Sequence, residues 1–380
     1  MKVCFFSPTA YAYFEPSSDS WAGGAETQQV LLARHMVHRG VDVSFIVGDH
    51  GQPEVERHGE ITVIKSFRPF AGNRKLRFVP DMLKIRRAMR IADADVYNQR
   101  STSFYTGQIA WFAARLGRVF TFSLGIDYNC YPDCDGRLPP PMAALYRYGI
   151  RRADAIIAQT DFQRRLVLRN FERNAVLIPN GIPIPGEPPG PGQANPPDFL
   201  WVGSFRRRKR PELFVELARR VPDARFVMAG GAGDDPPFFE EVRARMATVS
   251  NLEYAGFVPP GEIDALYRSA YAYVNTSTLE GFPNTYLHSW VHGVPTLTVE
   301  IDPDDIITNH RLGVRAGDFE TLVTAVRELA GDPARRERLS ENARRYVLAN
   351  HDIRDRGDDY ICLFEELSRR RSSRRSSRSG

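Results

Sequence analysis

The chain has 380 residues, 42% hydrophobic and 26% charged, the balance of an ordinary globular protein with length enough for two cores. No window approaches the roughly 18 uninterrupted apolar residues of a membrane span, and the apolar run at residues 3–6 is too short for a signal peptide, so a cytoplasmic protein is expected. The net charge of +5 is local: Arg369, Arg370, Arg371, Arg374, Arg375 and Arg378 stand in a Ser/Arg tail without acidic residues, and the rest of the chain is close to neutral.

In the first half, strand-like and helix-like segments alternate. Residues 3–6 and 41–47 read as strands around a helix over 26–38 that stops at Gly40. Segments 61–64, 96–98, 119–123 and 155–158 continue the strands, with helical patterns over 82–91, 105–116 and 142–152. Residues 179–197 are dense in Pro and Gly and hold neither a helix nor a central strand, which makes them a linker. Alternation then restarts, with strands at 199–202, 225–229, 272–274 and 296–299 and helices at 211–219, 238–247 and 262–269. The pattern predicts an α/β protein of two doubly wound, Rossmann-like domains, 1–178 and 198–352. A last helix is expected over 353–367. Residues 368–380, basic and of low complexity, are expected to be disordered. Such a tail suits anionic lipid, weak nucleic-acid contact or no partner at all. No aromatic–basic interleaving supports a specific nucleic-acid site.

Four cysteines, Cys4, Cys130, Cys134 and Cys362, are expected to be free thiols, because the C-x3-C pair lacks zinc spacing and a second pair.

Chemistry concentrates in residues 280–295, EGFPNTYLHSWVHGVP. Glu280 follows the strand ending near 275, then comes a Gly281-Phe282-Pro283-Asn284 turn and an amphipathic helix that stops at Gly293. Open α/β sheets bind ligands beyond the C-terminal ends of their strands, and helix N-termini attract phosphate through free N–H groups. Glu280 also reads as a first-turn carboxylate favoured by the helix dipole. A second element is the cationic run 206–210, directly after strand 199–202. Five successive cations repel one another without an anion, so the run points to a bound anion, or else to a solvated surface loop. In the third, Gly23-Gly24, a backbone without Cβ approaches phosphate oxygens closely. The pair also suits a plain turn, and Glu26 a first-turn carboxylate. His288 and His292 have the spacing of a zinc pair, but Ser289-Trp290-Val291 between them lacks the acid of that motif. No metal is expected.

In their order, these segments resemble the family 4 glycosyltransferases of the GT-B fold. The resemblance also takes in Pro179-Asn180-Gly181, Val202-Gly203 with Lys209, Gly256-Phe257-Val258, and Gly293 with Pro295, and so covers most of the chain. It implies an acceptor-side first domain and a donor-binding second domain facing across a cleft, with helix 353–367 crossing back to the first. It implies retaining, metal-independent transfer of a sugar from a nucleotide-diphosphate sugar to an acceptor hydroxyl, without a further cofactor. The setting implied is surface polysaccharide or glycolipid assembly. Its partners are the donor and a glycan or lipid-linked acceptor; by its charge, the tail suits peripheral contact at the inner membrane surface.

By matched position, Lys209 would hold the diphosphate and Glu280 the sugar, as the catalytic pair. Gly23, Gly24, Ser204, Arg208, Phe257, Val258, Phe282, Pro283, Asn284, Thr285 and His288 would bind the donor. Ser123 and Asp127 would meet the acceptor or the sugar, although Asp127 equally suits a helix cap. Three positions depart from the family. His288 stands where a second Glu accepts both ribose hydroxyls, and a neutral imidazole offers one acceptor and one donor. Ser204 replaces an arginine, and residues 123–127 lack a histidine. These departures leave open a non-catalytic glycosyltransferase-like binding subunit, and the fold also admits a nucleotide-sugar epimerase. Acceptor choice is expected in loops 66–80 and 127–141.

Overall fold

The structure, a computed structural model, describes residues 1–15, 23–69, 74–186, 198–259 and 261–379, leaving aside the side chains of 74–76 and 374–379. The chain forms two units. Met1–Pro183 and Ile353–Gly380 make the first, and Ile184–Asp352 the second.

The first unit opens with β1 (Lys2–Phe6), α1 (Gly24–His38), β2 (Asp42–Val47), β3 (Val55–His58) and β4 (Ile61–Lys65). It continues through α2 (Arg74–Ala92), β5 (Val96–Arg100), α3 (Thr106–Leu116) and β6 (Val119–Ser123). Then follow α4 (Pro140–Arg152), β7 (Ala155–Ala158), α5 (Asp161–Phe171) and β8 (Val176–Leu177). Among the described residues these strands form an eight-stranded sheet, in the order β3-β4-β2-β1-β5-β6-β7-β8. All pairs are parallel except β3 with β4. Its inner strands read as continuous apolar runs, VCFF and AIIA, because helices cover both faces of a parallel sheet. The strand order reverses at β1, which lies between β2 and β5.

In the second unit β9 (Asp198–Val202), α6 (Pro211–Arg220), β10 (Arg225–Ala229), α7 (Pro236–Met246), β11 (Leu252–Tyr254) and α8 (Ile263–Ser269) come first. After them come β12 (Ala272–Asn275), α9 (Asn284–Val291), β13 (Thr296–Thr298), α10 (Ile306–His310) and β14 (Gly313–Arg315). The unit closes with α11 (Phe319–Gly331) and α12 (Pro333–Asn350). Its sheet is parallel throughout, in the order β11-β10-β9-β12-β13-β14, and reverses between β9 and β12. Side-chain caps start several helices. Asp235, Asp318 and Asp332 each accept the N–H three residues on, satisfying donors that have no partner within the helix.

Helix α13 (Ile353–Ser379) returns to the first unit. Tyr360 and Phe364 are buried beside Val3, Phe5 and Val30, and His35 Nε2 of α1 stands 2.8 Å from Asp358 Oδ1. The helix runs on through Ser379, where composition alone suggests a disordered tail. Arginine propagates a helix well once an anchored segment has nucleated it. Here Arg370 pairs with Glu366 one turn back, and Arg371 reaches Asp154 at 2.8 Å. Of the expected linker, residues 187–197 lie outside the described residues. Helix α2 begins at Arg74 rather than near 82, with Pro80 inside it on an exposed stretch where a missing N–H costs least. No helix among the described residues is long and apolar enough to cross a membrane.

Candidate functional site

Two loops leave neighbouring parallel strands of the second unit at the point where the strand order reverses. The first leaves β9 through Gly203 and Ser204. It buries Phe205 against Trp201 and Tyr254, then makes a 3-10 turn over Arg207–Lys209. Arg210, with φ 46°, ends that turn in the left-handed region, and Pro211 begins α6. The second loop leaves β12 at Thr276. Hydrogen bonds lace the two together. Thr276 Oγ1 donates to the Lys209 carbonyl at 2.6 Å and accepts from Trp201 Nε1 at 3.1 Å. Arg210 Nε donates to the Thr276 carbonyl at 2.7 Å, and the Thr278 N–H to that of Arg208 at 2.9 Å.

This lacing brings Lys209 Nζ to 2.5 Å from Glu280 Oε1, with side chains 16% and 12% exposed. Arg208 stands 3.8 Å from Glu280 Oε2 and donates to the Leu279 carbonyl at 3.2 Å. Burial pushes the Glu280 carboxyl up, but Lys209, Arg208 and a hydrogen bond from Ser277 outweigh it, and the group is held below its ordinary range. Lys209, Arg208 and Glu280 thus form one charged cluster at the carboxyl ends of β9 and β12.

The rest of the cationic run needs no external anion. Arg206 pairs with Asp234, Arg207 with Asp235 and Arg210 with Glu300. Repulsion along the run is relieved by carboxylates of the same unit, so charge density alone is no sign of a ligand here.

Helix α9 begins beside the cluster. Pro283 is its N-cap and supplies no side-chain oxygen to the first turn; Asn284 and Thr285, half-buried, open the helix. Phe282, expected at the donor, is instead buried between Trp290 and His351, with ring centroids at 6.1 and 5.0 Å. Its side chain anchors the turn against Trp290 and His351. His288 stacks on Tyr267 at 5.5 Å, and its Nδ1 stands 3.0 Å from Asp264 Oδ1. His292 Nε2 lies 3.3 Å from that same oxygen. Burial raises the Asp264 carboxyl, and the two histidines bring it well below its ordinary value. Asp264 is a residue that sequence reasoning missed: nothing in the motif at 280–295 points to a carboxylate on α8.

A second missed feature is the glycine-rich loop after β10, Gly230-Gly231-Ala232-Gly233, legible as a glycine run directly following an apolar strand. Gly230 has φ +152°, and a Cβ there would lie 1.8 Å from the Gly203 carbonyl oxygen, so the two strand-end loops approach as closely as backbone allows. Phe257, 68% exposed, lies against Gly231 beyond β11, with Val258 half-buried beside it.

In the first unit Gly23 is the N-cap of α1, and its N–H donates to Glu26 Oε2 at 2.8 Å. Glu26 Oε1 accepts from Thr9 at 2.6 Å. The helix start is thus occupied by its own carboxylate, the first-turn reading of Glu26, and the Gly23 amide expected at phosphate is engaged; Gly24 follows as an exposed first residue of α1. Ser123 is 2% exposed, with its hydroxyl accepting from Asn98 at 3.1 Å and 3.3 Å from Tyr360, which corrects its expected role at the sugar: β6 ends inside the core. Asp127 is the first residue of a 3-10 turn, with Ile126 at its N-cap, and accepts from Gln163 of α5 at 2.9 Å.

Known proteins resemble the chain in sequence and in shape. Residues 22–184 match Glycosyltransferase Family 4, and residues 196–332 match Glycosyl transferases group 1. A Mycolicibacterium smegmatis protein, a GDP-mannose-dependent alpha-(1-6)-phosphatidylinositol monomannoside mannosyltransferase, is 26% identical over 62% of the chain and 68% of its own length. Glycosyltransferase 1 domain-containing protein 1 of Xenopus tropicalis is 25% identical over 44% of the chain, a match spanning half of that relative. Among solved structures, sucrose-phosphate synthase from Thermosynechococcus elongatus superposes with a TM-score of 0.79 over 97% of the chain and 99% of its own, at 17% identity. Anabaena Alr3699/HepE in complex with UDP gives 0.74 over 96% and 100%, at 14% identity. With both units matched in sequence and fold, the chain belongs to the family 4 glycosyltransferases of the GT-B fold.

Proposed function

We propose that the protein is a retaining glycosyltransferase that moves a sugar from a nucleoside-diphosphate sugar to an acceptor hydroxyl, without a metal, in glycolipid or polysaccharide assembly. One observation carries this reading: Lys209, Arg208 and Glu280 meet at the strand-order reversal of the second unit, beside a helix start that lacks a side-chain cap. A departing diphosphate requires fixed positive charge and oriented N–H groups. Lys209 and Arg208 are the cations of that site, and the Asn284–Thr285 turn its amides. Glu280 then releases Lys209 to the phosphate and takes the sugar hydroxyls. In front-face substitution the leaving phosphate oxygen accepts the acceptor's proton as the new bond forms, so no separate general base is required.

Asp264 answers the missing second glutamate in this reading. His288, oriented by Asp264 and stacked on Tyr267, offers one ring nitrogen to the ribose, and Asp264 supplies the carboxylate for the other hydroxyl. The exposed Phe257 ring is the stacking surface for the base. Similar proteins support the donor class, with UDP and UDP-glucose in the HepE structures and GDP-mannose for the mycobacterial relative. That relative, like two diacylglycerol glycolipid synthases, also supports a lipid-linked acceptor. The arginines of α13 extend the reading to peripheral contact with an anionic membrane.

The test is a thermal-shift panel of UDP, GDP, ADP and TDP with their common sugars, followed by hydrolysis assays with the sugar that binds. A nucleotide at a hundred times its Kd stabilises the fold by about 2.7 kcal/mol. Lys209→Met is expected to lose most of that shift, and Asp264→Asn to weaken the nucleotide about 10-fold in calorimetry. No shift with any nucleotide would overturn the reading. A shift without turnover would favour the binding subunit, in line with the direct Lys209–Glu280 pair and the engaged Gly23 amide.

A further inference from the structure

Beyond the carboxyl ends of β1, β4 and β5, the first unit forms a half-open cavity of about 760 Å³. Its two walls differ in kind. One is aromatic: Phe6, Phe67, Tyr105 and Phe78 follow one another with ring centroids 6.5, 4.8 and 6.0 Å apart. Met142, at the start of α4, extends it. The one hydroxyl in this wall is already engaged, since Tyr105 donates at 2.8 Å to Asp81, a carboxylate 4% exposed that Arg77 also reaches at 3.1 Å. That buried network fixes the Tyr105 ring while taking its polar end out of use. The other wall is polar, with Thr9 donating to Glu26 and the buried Arg100 donating to Asn180 at 2.7 Å.

A sugar alone does not suit such a site. Its hydroxyls would leave water for aromatic rings, and the polar groups beside them, Arg77 and Asp81, are already bonded to each other and to Tyr105, which is unfavourable. A hydrocarbon gains there by leaving water, and a polar head is satisfied at the opposite wall. We infer that this cavity takes the alkyl chain of an amphipathic acceptor, with the hydroxyl-bearing head toward Thr9, Glu26 and Arg100. Phe67, after β4, with Phe78 of α2 and Met142 of α4, then selects the acceptor by its apolar part. The assignment to an acceptor rests on the transferase reading above; the affinity for an alkyl chain does not.

The experiment titrates the whole protein with methyl and octyl β-D-glucoside, the latter below its micelle concentration, by calorimetry, with the nucleotide thermal shift measured in parallel. Octyl glucoside is expected to bind at least ~100-fold more tightly than methyl glucoside. Phe78→Asp and Met142→Asp, at half-buried positions away from the strands, are each expected to bring the octyl affinity down to the methyl level while leaving the nucleotide shift unchanged. Equal affinities for the two glucosides, or a preference that survives both substitutions, would overturn the inference. A nucleotide shift without alkyl preference removes the cavity's assignment and leaves the transferase standing. An alkyl preference lost in both variants, with no nucleotide shift, keeps the alkyl site and removes the transferase.

Discussion

Glu280 and Lys209 are each more than four-fifths buried, and a buried ion pair is most costly when one partner alone is removed. Glu280→Ala is therefore expected to destabilise the protein by about 3 kcal/mol, because Lys209 keeps a buried charge without its carboxylate. The same pair sets a pH dependence. Glu280 titrates below its ordinary 4.5 in the folded chain, so its contribution is complete above that pH and is lost as the pH falls through the lower, folded value. Urea midpoints of the wild type should accordingly drop in acid more steeply than those of Glu280→Gln; parallel curves would count against the coupling. Glu280 is legible in the sequence because local spacing fixes it between β12 and α9, and Lys209, just after β9, through the resemblance of its segment. Asp264 is not, since 24 residues separate it from His288 and only the packing of α8 on α9 joins them. The carboxylates that neutralise Arg206, Arg207 and Arg210 escape the sequence for the same reason: they come from other loops.

Elements follow the same logic on a larger scale. Strands buried on both faces announce themselves as apolar runs, and most were placed by pattern to within a residue or two. The pattern does not reach the four edge strands, β3, β8, β11 and β14, because each is only two to four residues long and none is buried on both faces. The helical end of α13 escapes composition because low complexity hides a helix whose nucleus lies further back, at Tyr360 and Phe364. The glycine loop after β10 makes a sharper demand than any helix. Gly230→Ala introduces a Cβ against the Gly203 carbonyl at a φ that L residues rarely adopt. It is expected to cost at least about 2 kcal/mol, read as a lower urea midpoint. Since the same backbone carries Lys209 onward from Gly203, nucleotide affinity should fall in the surviving folded fraction. An unchanged midpoint would mean that the loop can open without loss.

At the scale of the whole molecule, the first unit is discontinuous and the second is not. Residues 184–352 form one continuous segment with their own sheet and core, and are expected to fold as a fragment with a cooperative thermal transition. Residues 1–183 lack α13, whose Tyr360 and Phe364 complete the apolar cluster around Val3, Phe5 and Val30. That fragment should melt lower and more broadly in circular dichroism, and a peptide of residues 353–373 added in trans should sharpen the transition. Indifference to the peptide would show that α13 is only an appendage.

That discontinuity also sets a timetable for synthesis. As the chain leaves the ribosome, β1 and α1 emerge early, but the helix that seals their apolar face is not yet made. At ~5–20 residues per second, translating the intervening segment occupies on the order of ten seconds or more. Throughout that interval the nascent first unit exposes an oily groove shaped for α13. Newly made chains are therefore most exposed to chaperones, proteases and one another before residue 353 appears, and substitutions that slow the end of translation act on folding yield rather than on the finished protein.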